Sequence, residues 1–184
     1  TLDRSSAASD VYKRQGDKDK AKWMVDNIVT NSWNDQTDLG KPIKECIFEL
    51  KQAYPKYAPY IVAYWYCYKD MDAGEIPGIY DVMKDLKDRG YQLYCLTNWS
   101  HETFPIVKEV HARLFELFDG IVVSGEEKMV KPNPEIYNLL LGRYNLNASE
   151  SVFIDDRQRN VDGANQVGIQ GILFTGSNNL KEQL

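Results

Sequence analysis

The chain has 184 residues, 22 basic and 27 acidic, for a formal net charge of −5, and that acidic balance argues against a nucleic-acid partner. At 43% hydrophobic and 12% aromatic it can bury a core, so a disordered chain is excluded. The longest apolar run, Tyr60 to Tyr68, is too short for a membrane span and no charged-then-apolar leader opens the chain, so the expectation is a cytoplasmic protein with no membrane partner.

Thr1 to Gln15 show neither a helical nor a strand period, and Ser5-Ser6-Ala7-Ala8-Ser9 reads as a disordered tail. Back-translated as GAT GTG TAT AAG AGA CAG, Asp10-Val11-Tyr12-Lys13-Arg14-Gln15 looks like the end of a sequencing-library transposon adaptor. Residues 1–15 are therefore read as disordered or non-native, with the natural chain starting near Gly16.

Residues 16–74 read as a small helical lobe. Trp23, Met24, Ile28 and Val29 form one apolar stripe at helical spacing, Ile43, Ile47, Leu50 and Ala53 a second, and Ile61, Val62, Trp65 and Tyr66 a third. Gly40-Lys41-Pro42 marks a turn between them. Trp33, Asp38 and the aromatics around Trp65 are candidates to face a substrate, although large apolar side chains at this spacing more often make core.

Residues 75–184 change character. Ile79, Val82, Met83 and Leu86 make an amphipathic helix that stops at Gly90. A strand follows over 91–96, then a helix from about Pro105 to Phe118 and a strand over 120–123. A helix opened by Asn133-Pro134, a strand over 151–154, a helix over 161–167 and a strand over 171–174 complete the pattern. Apolar strands alternating with helices predict an α/β fold, a doubly wound parallel sheet covered on both faces. Cys46, Cys67 and Cys95 sit apart in apolar segments and read as buried free thiols.

In an open parallel sheet, ligands bind beyond the carboxyl ends of the strands. The residues leaving these strands are Thr97-Asn98, then Ser124-Gly125 with Lys131-Pro132 in the following connection, then Asp155-Asp156. They bring a hydroxyl, an amide, a cation and two carboxylates to one rim. Adjacent carboxylates repel, and a hard cation such as Mg²⁺ relieves them. With Lys131 opposite, such a rim suits a phosphoryl group. Each piece also has a plainer reading: a helix cap for Thr97-Asn98, a turn for Asp155-Asp156, a surface lysine for Lys131. His101 and His111 lack ligand spacing.

The ordered set resembles the haloacid dehalogenase-like (HAD) hydrolase superfamily, over about 16–184. Leu93-Tyr94-Cys95-Leu96-Thr97-Asn98 looks like its second motif and Lys131-Pro132-Asn133-Pro134-Glu135-Ile136-Tyr137 its third. Val152-Phe153-Ile154-Asp155-Asp156, with Asn160-Val161 and Ala164, looks like its fourth. Thr97-Asn98-Trp99-Ser100 with the paired aspartates is similar to sugar-phosphate phosphatases and to the phosphatase domain of soluble epoxide hydrolases. The resemblance implies a helical cap and a core whose first strand, ending in Asp-x-Asp, is missing: residues 1–15 hold no such strand, and Asp3 and Asp10 are in the wrong setting.

It further implies a Mg²⁺-dependent phosphatase that hydrolyses a small phosphorylated metabolite, a sugar phosphate or nucleotide, through an aspartyl-phosphate. Thr97 and Asn98 would bind the phosphoryl group, Lys131 would offset charge, and Asp155 and Asp156 would hold the metal, with Asn160 steadying their loop. A chain without the nucleophile strand is expected to be inactive. The alternatives are a 2-haloacid dehalogenase, which generally has small neutral residues in place of the two aspartates, and a non-catalytic fragment or binding protein. Substrate identity and oligomeric state stay open.

Overall fold

The computed structural model describes residues 11–13, 15–66 and 74–184. The described part of the N-terminal lobe contains α1 (Lys18–Asn27), α2 (Asn31–Asp38), α3 (Ile43–Ala53) and α4 (Ala58–Tyr66), with a 3₁₀ turn at Pro55–Tyr57 before α4. Asp17 starts α1 by accepting from Lys20 N at 3.0 Å, satisfying one of the amides a helix start leaves bare. Met24, Ile28, Val29, Cys46, Leu50 and Ile61 pack into one apolar cluster. Trp23, in the expected stripe, is 44% exposed and stacks on Tyr57 with ring centroids 4.8 Å apart.

Residues 11–13 are helical and Val11 is fully buried in this same cluster, where the sequence suggests a structureless tail. An aliphatic side chain next to an apolar cluster is drawn in by the area it removes from water. Residues 1–10, Arg14 and Cys67 lie outside the described residues.

The second half alternates strand and helix: α5 (Ile79–Asp88), β1 (Tyr94–Thr97), α6 (Phe104–Val110), α7 (Ala112–Phe115), β2 (Gly120–Val123), α8 (Ser124–Glu127), α9 (Pro134–Tyr144), β3 (Val152–Asp155), α10 (Gln158–Gln166), β4 (Gln170–Leu173) and α11 (Ser177–Gln183). Gly90, at φ 89°, closes α5 as expected. The helix expected from Pro105 to Phe118 is broken at His111 into α6 and α7.

The strands form two parallel pairs. β1 runs beside β2 with Thr97 opposite Val123, and β3 beside β4 with Asp155 opposite Leu173. Among the described residues β1 and β3 are not paired, so the single sheet expected from the sequence is divided between them. Two apolar clusters cover the strands, and Phe153 of β3 packs against the one that holds Leu96 of β1. Leu96 and Val122 meet Ile136, Tyr137 and Leu140, whereas Ile172 meets Val82, Leu86 and Leu180. On β2, the Tyr144 hydroxyl accepts from Ile121 N at 2.9 Å and donates to Ile121 O at 3.1 Å. Gly120 leaves room for that ring, since a Cβ there would collide with Tyr144. No helix among the described residues is long and apolar enough to cross a membrane.

Candidate active site

Lys131, in the connection from α8 to α9, lies between the two strand pairs. Its Nζ donates to Leu96 O of β1 at 2.7 Å and to Asp155 Oδ2 of β3 at 2.7 Å. The ion-paired side chains are only 9% and 7% exposed, so this ammonium is not the surface lysine of the plainer reading. The Phe153 ring lies 5.3 Å from Nζ and adds an aromatic face.

Asp155 ends β3 with both oxygens engaged. Oδ2 meets Lys131, while Oδ1 accepts from Arg157 N and from Asn160 Nδ2, each at 2.9 Å. Burial alone would raise its pKa; the Lys131 charge and these hydrogen bonds outweigh that and hold the carboxyl below its ordinary value. Asn160, 4% exposed in the first turn of α10, is fixed in turn, because the Tyr137 hydroxyl donates to its carbonyl at 2.7 Å. The sequence names Tyr137 only as the last residue of the third motif and gives it no role; its own pKa is pushed up by burial.

Asn98 clamps the lysine from the other side. Its Nδ2 donates to Lys131 O at 3.0 Å and its Oδ1 accepts from Lys131 N at 2.8 Å. Thr97 is the last residue of β1, half-buried, and Asp156 is exposed just past β3. The structure thus brings Asn98, Lys131 and Asp155 into one hydrogen-bonded network, with Thr97 and Asp156 at the adjoining strand ends.

Two carboxylates with oxygen donors suit a hard divalent cation. Among the described residues no group of three or more His, Cys, Asp or Glu side chains is placed to hold a metal ion, and both oxygens of Asp155 already accept from protein donors. His111 lies 3.6 Å from Glu75 and His101 is half-buried. Cys46 and Cys95 are free thiols, and burial pushes both up, Cys95 to about 11. Trp33 and Trp65 pack in the lobe's apolar cluster. Asp38 of α2 is different: burial and neighbouring Asp35 push its carboxyl up to about 7, against the opposing charge of Arg157 beside the β3 end.

The sequence model of haloacid dehalogenase-like hydrolases matches residues 14–168. A sesquiterpene phosphatase of Aspergillus oryzae is 36% identical over 96 residues, 52% of this chain and 48% of that protein. A ribulose-1,5-bisphosphate 5-phosphatase of Halopiger xanaduensis is 29% identical over 116 residues, 62% of this chain and 48% of that protein. The match therefore spans about half the length of these curated relatives. Among solved structures, a HAD-family enzyme of Bacteroides thetaiotaomicron in complex with magnesium superposes with a TM-score of 0.76 at 20% identity, covering 99% of this chain and 90% of that one.

Proposed function

The chain belongs to the haloacid dehalogenase-like hydrolases, and from that premise we propose that the protein is a Mg²⁺-dependent phosphatase acting on a small phosphorylated metabolite. The observation that carries this reading is the buried Lys131–Asp155 pair at 2.7 Å with a second carboxylate, Asp156, directly beside it. One fixed ammonium and two acids at the ends of parallel strands are what an anionic group and a divalent cation together require. The dehalogenase alternative expects small neutral residues where these aspartates stand.

In this reading the lobe over 16–74 is the helical cap and the core over 75–184 carries the chemistry. Thr97 donates its hydroxyl to the phosphoryl group. Lys131 offsets charge on that group and on the nucleophile. Asn98 and Asp155 hold Lys131 in place from its backbone and its ammonium, and Asp156 with Asp155 provides carboxylate oxygens for the cation. Bound there, Mg²⁺ would neutralise charge building on the phosphoryl oxygens. The nucleophile is an aspartate on a strand upstream of Gly16, seated between β1 and β3; it attacks phosphorus as the P–O bond to the substrate's alcohol breaks and the alcohol leaves, and water then hydrolyses the aspartyl-phosphate to free the aspartate and inorganic phosphate. The 184 residues by themselves are inactive in this reading, because none of the described strands ends in Asp-x-Asp.

The test is turnover of a panel of sugar, nucleotide and isoprenoid phosphates by the full-length protein. Activity is expected to vanish with EDTA, to return with Mg²⁺ and to be lost in Asp156→Ala. Phosphate turnover indifferent to chelation would overturn the Mg²⁺ requirement, and release of halide from a 2-haloacid with no turnover of the phosphates would replace the phosphatase with the dehalogenase.

A further inference from the structure

Helix α3 has no N-cap of its own: it follows Pro42, which offers no side-chain acceptor. The amides of Glu45 and Cys46 turn back to Pro42 O at 3.0 and 3.3 Å. The Ile43 amide is satisfied from the other half of the molecule, by Glu102 Oε1 at 2.7 Å, 59 residues away in sequence. Glu102 sits on the loop that leaves β1, the same loop that presents Thr97 and Asn98.

A second contact lies beside the first. The turn between α2 and α3 passes so close to α8, which follows β2 directly, that a Cβ on Gly40 would come within 2.7 Å of Gly125 O. The loop after β1 and the start of α8 also hold each other: Gly125 N donates to Trp99 O at 3.1 Å and Trp99 N to Ser124 Oγ at 2.9 Å. The start of α3 therefore rests on two interlocked segments at the strand ends.

We infer that Glu102 is a positioning residue, whose carboxylate fixes the N-terminus of α3, and with it the helical lobe, above the rim formed by Thr97, Asn98 and Lys131. A carboxylate suits this place on two counts. It accepts an amide that the helix start leaves without a partner, and it meets the positive end of the helix dipole. The inference rests on reading that rim as the active site, and its test separates the two.

Glu102→Ala and Glu102→Gln are compared with the unsubstituted full-length protein by amide hydrogen exchange and by steady-state hydrolysis of p-nitrophenyl phosphate. The Ala variant is expected to exchange the Ile43 amide about fivefold faster, the value of one lost helix cap, and to raise KM about fivefold with kcat kept within about twofold. The Gln variant, whose amide oxygen can accept the same hydrogen bond, is expected to restore both. Unchanged exchange at Ile43 in the Ala variant overturns the anchoring. Equal acceleration in β1 and β3 overturns it too, by showing a brace of the whole fold. Faster exchange with unchanged KM overturns the positioning role. An unsubstituted protein without turnover overturns the phosphatase reading and the positioning role together, while the exchange result still reports on the anchor.

Discussion

A buried ammonium is tolerable only where acceptors replace the water it has lost, and Leu96 O and Asp155 Oδ2 take two of the three Lys131 protons. Removing it strands the carboxylate. Lys131→Met is expected to lower stability by about 3–5 kcal/mol, because Asp155 stays buried without its counter-charge. The double variant with Asp155→Asn should recover part of that loss, and urea unfolding of the three proteins checks it. Turnover in Lys131→Met should fall more than about tenfold, since charge stabilisation at such a site is worth several kcal/mol. The residue types at this rim were legible because lysine and paired aspartates at strand ends are costly without a partner. What they touch was less so. An amide such as Asn98 can face a ligand or a backbone with equal ease, and only the fold shows it closed on the backbone N–H and C=O of Lys131. Asp155 likewise looked like one half of a metal pair, and its tie to Lys131 depends on a connection whose path the sequence does not specify.

At the scale of elements, one contact between lobe and core brings backbone against backbone, at Gly40 and Gly125 O, and it is sensitive to any added side chain. Gly40 combines φ 89° with the approach to Gly125 O, and Gly40→Ala is expected to cost about 1–3 kcal/mol by overpacking, with added strain from the left-handed backbone. Gly142, inside α9 with nothing within 4 Å of a would-be Cβ, is the control. Gly142→Ala should be neutral or stabilising by about 0.5–1 kcal/mol, and chemical denaturation of both variants gives the comparison. The long amphipathic helices were readable from periodicity, as α5 shows by burying Val82, Met83 and Leu86. The strand expected from Tyr91 begins only at Tyr94, since Tyr91 is 53% exposed and its apolar character did not reflect burial. The short helices α8 and α11 escaped because Ser-Gly-Glu-Glu and Ser-Asn-Asn-Leu carry too few apolar residues to set a period.

Across the whole molecule, the division between β1 and β3 dominates. A central strand of about five buried apolar residues would contribute about 7–15 kcal/mol, as much as the whole stability of a typical domain, about 5–15 kcal/mol. The 184-residue chain expressed alone is therefore expected to melt broadly and to lack phosphatase activity, and a version extended upstream by a strand ending in Asp-x-Asp to melt sharply and to turn over. Calorimetry and a phosphate-release assay on the pair decide it; a sharp transition with Mg²⁺-dependent turnover in the 184-residue chain would defeat the expectation. The family resemblance implies a first strand between those that end at Asn98 and Asp155, whereas the pairing of β1 with β2 and of β3 with β4 among the described residues is read from the fold, because pairing depends on neighbours that no local pattern encodes. One consequence of that arrangement concerns association between molecules. A bare strand margin is a template on which another chain can add itself, and repeated addition leads to aggregates. On β2 the Tyr144 hydroxyl occupies both the N–H and the C=O of Ile121, so an incoming strand must first displace a phenol whose ring packs over Gly120. That side of β2 is guarded by a side chain, whereas among the described residues no strand pairs with the margins of β1 and β3 that turn away from β2 and β4, and self-association would begin there.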